Sequence, residues 1–448
     1  MTGIMTRMNS DLKIEIIGAG AGGLLTAYRL KQSKIADVHV NEARSRVGGR
    51  LVSSPNQCEL GAWSLGDGGN PETIQRIAIE LGLETTVTLL PWKRRFWSDG
   101  EFIDRALAFE QVFSQDKVRI KDCIKRLATS SDTLQEVLDE FFKDNPLIKR
   151  YFSCTIAIYQ GSPLNQLSAK IYEEATTELL LGGLSEVYKS TEEGLPLLRV
   201  KGGNDQLVKK LAEKLEDKIK FNKVLVSIRK IPESHKLQLN FSDGTSKETE
   251  IVVLALPVSA YSTLEIDEDL IPQKQLEAIK QVRPGTVSKI LLPNGGKKIE
   301  GAILSDDFGA IMAEGDQYIT IFWHKPFDME SCVLQITQLA QKLNLPVPSA
   351  FIRVEDSPVL YPKDVALIVD WPRTAYTNGS YSAYPHQLDE WVKIEKINGQ
   401  EVQSLFKPAG NIYFVNDAAP VHASAGCVGA AFESAEIVAQ LIINRSQI

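Results

Sequence analysis

Leu12 to Arg50 reads LKIEIIGAGAGGLLTAYRLKQSKIADVHVNEARSRVGGR, and the order of its parts decides the fold. Leu12, Ile14, Ile16 and Ile17 make a short apolar strand, followed by Gly18, Gly20 and Gly23 as G-x-G-x-x-G. Leu24, Ala27, Tyr28 and Leu30 then recur at helical spacing. A second strand, Val38 to Val40, ends at Glu42, nineteen residues past Gly23. Strand, glycine turn, helix, strand and acid, in that order, are the plan of a dinucleotide-binding βαβ unit.

The physics of such a unit assigns a task to each part. Gly18 permits the tight turn out of the strand, Gly20 lets a pyrophosphate approach the backbone, and Gly23 lets helix and strand pack closely. The helix start presents unpaired N–H groups and a partial positive charge to phosphates. Glu42 suits a ribose 2′-OH, and its charge would repel a 2′-phosphate. FAD or NAD therefore fits, and NADP does not.

Past the second strand, Arg46, Gly48, Gly49 and Arg50 form an R-x-G-G-R run. Glycines let the chain pass close to a ligand, and arginines suit its phosphates. The run resembles that of the flavin-dependent amine oxidase superfamily, which includes monoamine and polyamine oxidases and L-amino-acid oxidases. The resemblance implies FAD rather than NAD, with Glu42, Ala43, Arg44, Gly49 and Arg50 beside the cofactor.

Length and composition set bounds. A chain of 448 residues is too long for one compact core and implies two domains or three lobes. With 43% hydrophobic and 24% charged residues it reads as a soluble globular protein, and no apolar run is long enough to span a membrane. Residues 1–11 lack the apolar core of a secretion signal and a twin-arginine pair, so a short disordered tail and a cytoplasmic location are expected. A net charge of −7 argues against nucleic acid and anionic membranes as main partners. Cys58, Cys123, Cys154, Cys332 and Cys427 are scattered and odd in number, so neither a disulfide framework nor a metal site is expected.

Further stretches carry the same resemblance. Glu59-Leu60-Gly61-Ala62-Trp63, leading to a helix that Asp67 or Asn70 could cap, is similar to the family segment along the flavin ring, with Trp63 one place early. Residues 91–194 read as a helical insertion, with Trp92, Phe96 and Trp97 ahead of a turn at Asp99-Gly100. Lys201-Gly202-Gly203 precedes a helix, and Ile219 to Ile228 alternates as one strand, with Leu225 where the family contacts adenine. Phe241 to Thr245 is a hairpin turn, and Glu250 to Leu256 a buried strand stopped by Pro257. The implied fold class is α/β: a discontinuous Rossmann-type FAD-binding domain over 11–90, 195–298 and 405–448, and an α+β substrate domain. That second domain would comprise a helical part, 91–194, and a mixed-sheet part, 299–404.

The residues expected to carry chemistry come from the resemblance. Lys289, in Pro284 to Ile290, stands where the family lysine reaches a water near the flavin; among apolar neighbours its pKa would fall. Trp371 to Tyr381 fits the pattern W-x-x-x-x-Y-x-x-G-x-Y: Trp371 would pack on the flavin edge, and Tyr381 would wall the amine cage. Ser380 occupies the place of the cysteine that binds flavin covalently, so non-covalent FAD is implied. Asn416-Asp417 replaces the family's Gly-Glu, with Asp417 still able to accept hydrogen bonds from the cofactor. Cys427 and Val428 begin the last helix, whose positive end would face the flavin. Cys427 falls where a second cage aromatic often lies, which leaves Trp63, Trp97 or Trp323 to supply that wall. Trp63-Ser64 stands where amino-acid oxidases place a carboxylate-binding arginine, with Arg94, Arg95 or Arg373 as substitutes, and His324 could line the pocket.

The implied activity is an FAD-dependent oxidase that takes a hydride from the carbon next to an amine, giving imine and hydrogen peroxide. The alternatives are a tryptophan-oxidase-like L-amino-acid oxidase, a desaturase or isomerase of the same fold, and a flavin-binding partner without turnover. Expected partners are a small-molecule amine or amino acid and molecular oxygen, with no nucleic acid, no membrane, and a homodimer left open.

Overall fold

The computed structural model describes residues 12–34, 37–55, 58–65, 71–90, 94–103, 117–182, 195–297, 299, 302–314, 318–354 and 361–446. The expectations for residues 1–11, Asp67, Asn70 and Trp92 lie outside the described residues.

Strand β1 (Lys13–Ile17), helix α1 (Ala21–Gln32) and strand β2 (Asp37–Asn41) realise the opening unit. They seed a five-stranded sheet in the order Ile412–Phe414, Ile251–Leu254, β1, β2, Ile219–Lys220, with every pairing parallel. Its strands therefore come from three separated stretches of chain. Ile251–Leu254 is buried at every position, as a strand covered on both faces must be. One cover consists of α1, the helix Gln206–Leu215 and the C-terminal helix Val428–Ser446, both of which pack against α1.

The expected strand Ile219 to Ile228 is two strands. Ile219–Lys220 edges the parallel sheet, whereas Leu225–Lys230 pairs with Leu237–Phe241 in a separate four-stranded sheet. A turn separates them, with Asn222 at φ +57°. The N–H groups of Asn222 and Lys223 bond back to the carbonyls of Arg44 and Glu42, so the backbone cannot stay in one ladder. The hairpin after Phe241 forms as expected, pairing Leu237–Phe241 with Ser246–Thr249.

The second body is an eight-stranded mixed sheet. Its order is Ala350–Arg353, Val365–Val369, Ser288–Pro293, Tyr318–Trp323, Gly309–Glu314, Ala302–Ser305, Arg94–Ser98, Glu101–Ile103. Residues 91–194 are thus not purely helical: Arg94–Ser98 and Glu101–Ile103 form a hairpin around Asp99-Gly100, both at positive φ, as a tight two-residue turn requires. Helices Lys117–Thr129, Leu134–Phe142, Pro146–Gln160 and Glu173–Gly182 follow. Ser288–Pro293, inside the middle block of the expected cofactor domain, hydrogen-bonds wholly within this second sheet.

Alternation along these strands separates two faces. Ile290, Leu292, Ile319, Ile321 and Trp323 point to one side and pack with Cys332 and Ile336 of the helix Met329–Lys342. Lys289, Leu291 and Phe322 point to the other side, toward the 59–61 segment and the helix Pro146–Gln160.

Candidate active site

The glycine turn lies at the carboxyl end of β1, where open parallel sheets hold ligands. Gly18 has φ +107°, and a Cβ there would lie 2.3 Å from the Ala255 carbonyl oxygen. A Cβ on Gly23 would lie 2.0 Å from the Gly18 carbonyl oxygen, so the helix can approach this closely only without one. Gly20 is different: a Cβ there would meet nothing within 4 Å. Gly20 caps α1 without any side-chain hydrogen bond, and no acidic residue occupies the first turn. The turn is thus open on the side-chain side of Gly20, at the positive end of a helix with no side-chain cap, and that end is the one that favours phosphate. Small residues that stay only half-buried continue this track: Ala43, Gly49, Gly61, Ala62 and Ala255. The residues present fit a dinucleotide cofactor.

Glu42 is buried, and its carboxylate accepts from the N–H of Ala19 (2.7 Å) and of Arg44 (2.9 Å). It therefore braces the glycine turn, and a carboxylate keeps capacity for further donors. Gly48 donates to the Ala19 carbonyl (2.8 Å), which lays the R-x-G-G-R run beside the turn. Three arginines follow β2, and each bonds within the protein; Arg46 donates to the Val47 and Gly49 carbonyls. Arg44 donates to the Ala375 carbonyl and to Thr377 Oγ1 (2.6 Å). Arg50 grips Asp417 with two nitrogens, at 2.6 and 3.0 Å, and also donates to the Ser380 carbonyl. Asp417 in turn accepts from the Ser382 N–H (3.0 Å). A planar guanidinium on a carboxylate is the geometry that fixes both partners.

Through Arg50 the turn is joined to the segment Trp371 to Ser382. Trp371 is buried in a short 3-10 turn, and its indole donates to the Leu60 carbonyl (3.3 Å). Tyr381 is half-buried, and its hydroxyl donates to the Ile158 carbonyl at the end of the helix Pro146–Gln160. Ser380 Oγ accepts from the Val287 N–H (3.2 Å). Lys289 is buried, and its Nζ donates to the carbonyls of Glu59 and of Gly61 (3.0 Å), with the Phe322 ring centroid 5.5 Å away. Lys289 and Trp371 thus hold consecutive peptides of 59–61, the stretch expected along the flavin ring. Val428 starts the last helix; Cys427 Sγ caps it by accepting from the Ala430 N–H (3.3 Å) and itself donates to the Ser424 carbonyl. Leu225 starts the strand after the Asn222–Lys223 turn that bonds Glu42 and Arg44, which brings it to the β2 end of the site.

Several expected residues stand elsewhere. Trp97 and Trp323 lie on the far face of the eight-stranded sheet from Lys289 and cannot wall the same chamber. Arg373 is exposed and lies 3.7 Å from Asp370. The Arg95 guanidinium sits 4.5 Å from the Phe102 ring centroid. His324 is turned to the Phe308 carbonyl (3.0 Å), and burial lowers its pKa. Of the Arg94 side chain nothing is described.

Three residues gain roles that sequence reasoning did not assign. Glu59 is fully buried and accepts from Ser53 Oγ (2.7 Å), the Asn204 N–H (2.9 Å) and Arg199 (3.2 Å), tying 53–63 to 199–204. Glu433, one turn into the last helix, accepts from the N–H groups of Val421, His422 and Ala423 and shapes the loop ahead of that helix. Phe322 shares the face of Lys289 by strand register. An acid inside an apolar helix was the available signal for Glu433; nothing local marks the other two.

Residues 21–293 match the family described as flavin containing amine oxidoreductase. The chain is 22% identical to amine oxidase [flavin-containing] B of Cavia porcellus, covering 98% of this chain and 87% of that protein. It is 24% identical to lysine-specific histone demethylase 1 homolog 3 of Arabidopsis thaliana, over 90% of this chain but 28% of that one. Among solved structures, cyclohexylamine oxidase from Brevibacterium oxydans superposes with a TM-score of 0.73 at 17% identity, covering 97% and 99% of the two chains. Wild-type putrescine oxidase bound to putrescine gives 0.71 at 17% identity, covering 96% and 99%.

Proposed function

The chain belongs to the flavin-containing amine oxidoreductase family and is an FAD-dependent oxidoreductase; on that premise we propose that it oxidises a small-molecule amine at the carbon bearing the nitrogen. FAD would be held non-covalently, since Ser380 has no thiol and its Oγ is bonded to the Val287 N–H. Gly18, Gly20, Gly23 and the start of α1 take the diphosphate, Glu42 and Ala43 the ribose, and Leu225 the adenine side. Arg44, Gly49, Arg50 and Asp417 line the middle, and Gly61, Ala62, Trp63, Cys427 and Val428 border the ring. When bound, the flavin supplies the two-electron acceptor for the substrate hydride and passes the electrons to oxygen as hydrogen peroxide.

The chain's own contribution is position and exclusion of water. Lys289 and Trp371 fix the 59–61 backbone through its carbonyls, which sets a flat rim for a flat ring. Tyr381 offers an aromatic wall to the amine, anchored through its hydroxyl. Lys289 would also hold a water for the oxygen half-reaction. We further propose the division into a cofactor-binding part (11–90, 195–298, 405–448) and a substrate part (91–194, 299–404), except that Ser288–Pro293, which carries Lys289, belongs to the sheet of the substrate part.

The observation that carries this reading is the path from the glycine turn to the Tyr381 segment: the Gly48 N–H bonds the Ala19 carbonyl, and Arg50, two residues on, bonds the Ser380 carbonyl and Asp417, which holds the Ser382 N–H, on either side of Tyr381. The amino-acid reading is weaker: Arg373 lies beside Asp370 and Arg95 against Phe102, away from that path. The test is anaerobic mixing of the purified, FAD-loaded protein with panels of amines and amino acids. Bleaching of the flavin band by monoamines is expected; no bleaching by any amine would sink the reading.

A further inference from the structure

The loop from Thr374 to Asn378 is tied down from two sides. Arg44, three residues past the end of β2, donates to the Ala375 carbonyl and to Thr377 Oγ1 (2.6 Å). Ser259, five residues past the end of the strand Ile251–Leu254, donates to the Thr377 carbonyl (2.6 Å). In the parallel sheet those two strands are the neighbours of β1. All three run the same way, so their exits share one edge, and the middle exit is the glycine turn. The exits touch: the Gly18 N–H bonds the Asn41 carbonyl (2.8 Å), and the Ala255 N–H bonds the Ile17 carbonyl (2.9 Å).

Inside the loop, Tyr376 lies at φ +61° and Asn378 at φ +44°. Asparagine tolerates that region, but a tyrosine there is strained and stays only where its surroundings hold it. Arg44 holds it by bonding the residue before and the residue after, with its guanidinium carbon 5.8 Å from the Tyr376 ring centroid. Arg44 and Thr377 are buried, whereas Tyr376 is 47% exposed. The loop therefore takes its shape from bonds to remote residues, and it relaxes when they break.

We propose that residues 374–378 form a strap across the glycine turn that lifts to let FAD in or out, an inference that rests on the flavin reading above. The hydroxyls of Ser259 and Thr377 bond the strap to protein and have no part in that reading. Weakening their bonds lowers the barrier to lifting whether or not the cofactor lies beneath. Release and uptake of FAD then speed up together, whereas a lost cofactor contact speeds release alone.

Release is measured on the FAD-loaded protein by exchange with excess 8-chloro-FAD, followed in the visible spectrum. Uptake is measured by mixing apoprotein with FAD and following the quenching of flavin fluorescence. Ser259→Ala and Thr377→Val should each raise both rate constants about tenfold, the effect of one lost hydrogen bond, while Thr377→Ser stays within about twofold of wild type. Because both rates rise, Kd should stay within about threefold of wild type. Chymotrypsin reads the strap directly, since cleavage after Tyr376 requires the turn to open; bound FAD should slow that cut, and Ser259→Ala should hasten it. Failure of either folded variant to speed both rates, or a cut after Tyr376 that is indifferent to FAD, overturns the proposal and leaves the flavin site standing. Wild-type protein that takes up no FAD overturns the flavin reading and the strap with it.

Discussion

Gly20 and Gly23 sit one turn apart and differ in what surrounds the missing side chain. Gly23→Ala forces a methyl against the Gly18 carbonyl at 2.0 Å and against Ala255 at 2.9 Å. It should destabilise the protein by about 1–3 kcal/mol with or without cofactor. Gly20→Ala meets no protein atom and keeps an extended backbone that alanine adopts freely, φ −77° and ψ −175°. It should leave the melting temperature of the apoprotein unchanged and raise the Kd for FAD, read by flavin fluorescence titration. Equal FAD affinity in Gly20→Ala would contradict the assignment of that open side to the diphosphate. Lys289 makes a second contrast. Lys289→Met removes the donor from the Glu59 and Gly61 carbonyls, at a cost of about 1–3 kcal/mol for unpaired buried acceptors. FAD should remain bound, and reoxidation of the reduced flavin by oxygen should slow by at least about tenfold, measured by stopped flow. An unchanged rate would leave Lys289 only its structural task.

Among the elements, three helices meet through one guanidinium. Arg29 of α1 bonds Glu80 of the helix Pro71–Glu80 and Glu436 of the last helix, each at 2.8 Å. The hydrogen bond from Arg29 pulls the Glu80 carboxyl down from 4.5 to about 2. The folded value is the lower one, so folding is favoured by this pair above pH 4.5, and that contribution fades as pH falls through about 2. Glu80→Gln should therefore be less stable than wild type at neutral pH. The gap in unfolding free energy, from urea titrations, should close on acidification toward pH 2. A gap independent of pH would mean that Glu80 acts by packing and not by charge. Element boundaries also show where local patterning runs out. Ile219 to Ile228 alternates throughout, yet the chain breaks it because Asn222 and Lys223 bond to the Arg44 and Glu42 carbonyls from a remote stretch.

Across the whole molecule, burial sorts the five cysteines. Cys58, Cys123, Cys154 and Cys332 are buried, and Cys427 is half-buried at the candidate site. Burial pushes the thiols of Cys123, Cys154 and Cys332 up to about 12. The native protein should show one thiol that reacts readily with a disulfide reagent, Cys427, and added FAD should slow it; two or more equally fast thiols would contradict this packing. Among the described residues no helix is long and apolar enough to cross a membrane, and no cluster of acids, histidines and cysteines could hold a metal. The sequence by itself determined the opening βαβ unit, the parallel sheet's nucleus, the hairpin after Phe241 and the turn at Asp99-Gly100, because glycine freedom, strand alternation and turn chemistry act over a few residues. It also located the stretches around Lys289 and Trp371 to Tyr381. Only the tertiary structure decided that Arg44 and Arg50 spend their guanidinium groups on protein acceptors, that Trp97 and Trp323 turn to the far face, and that Phe322 stands opposite Lys289. Those outcomes depend on which strand lies beside which and in what register. Register is settled by contacts between residues far apart in the chain, where no local pattern reaches.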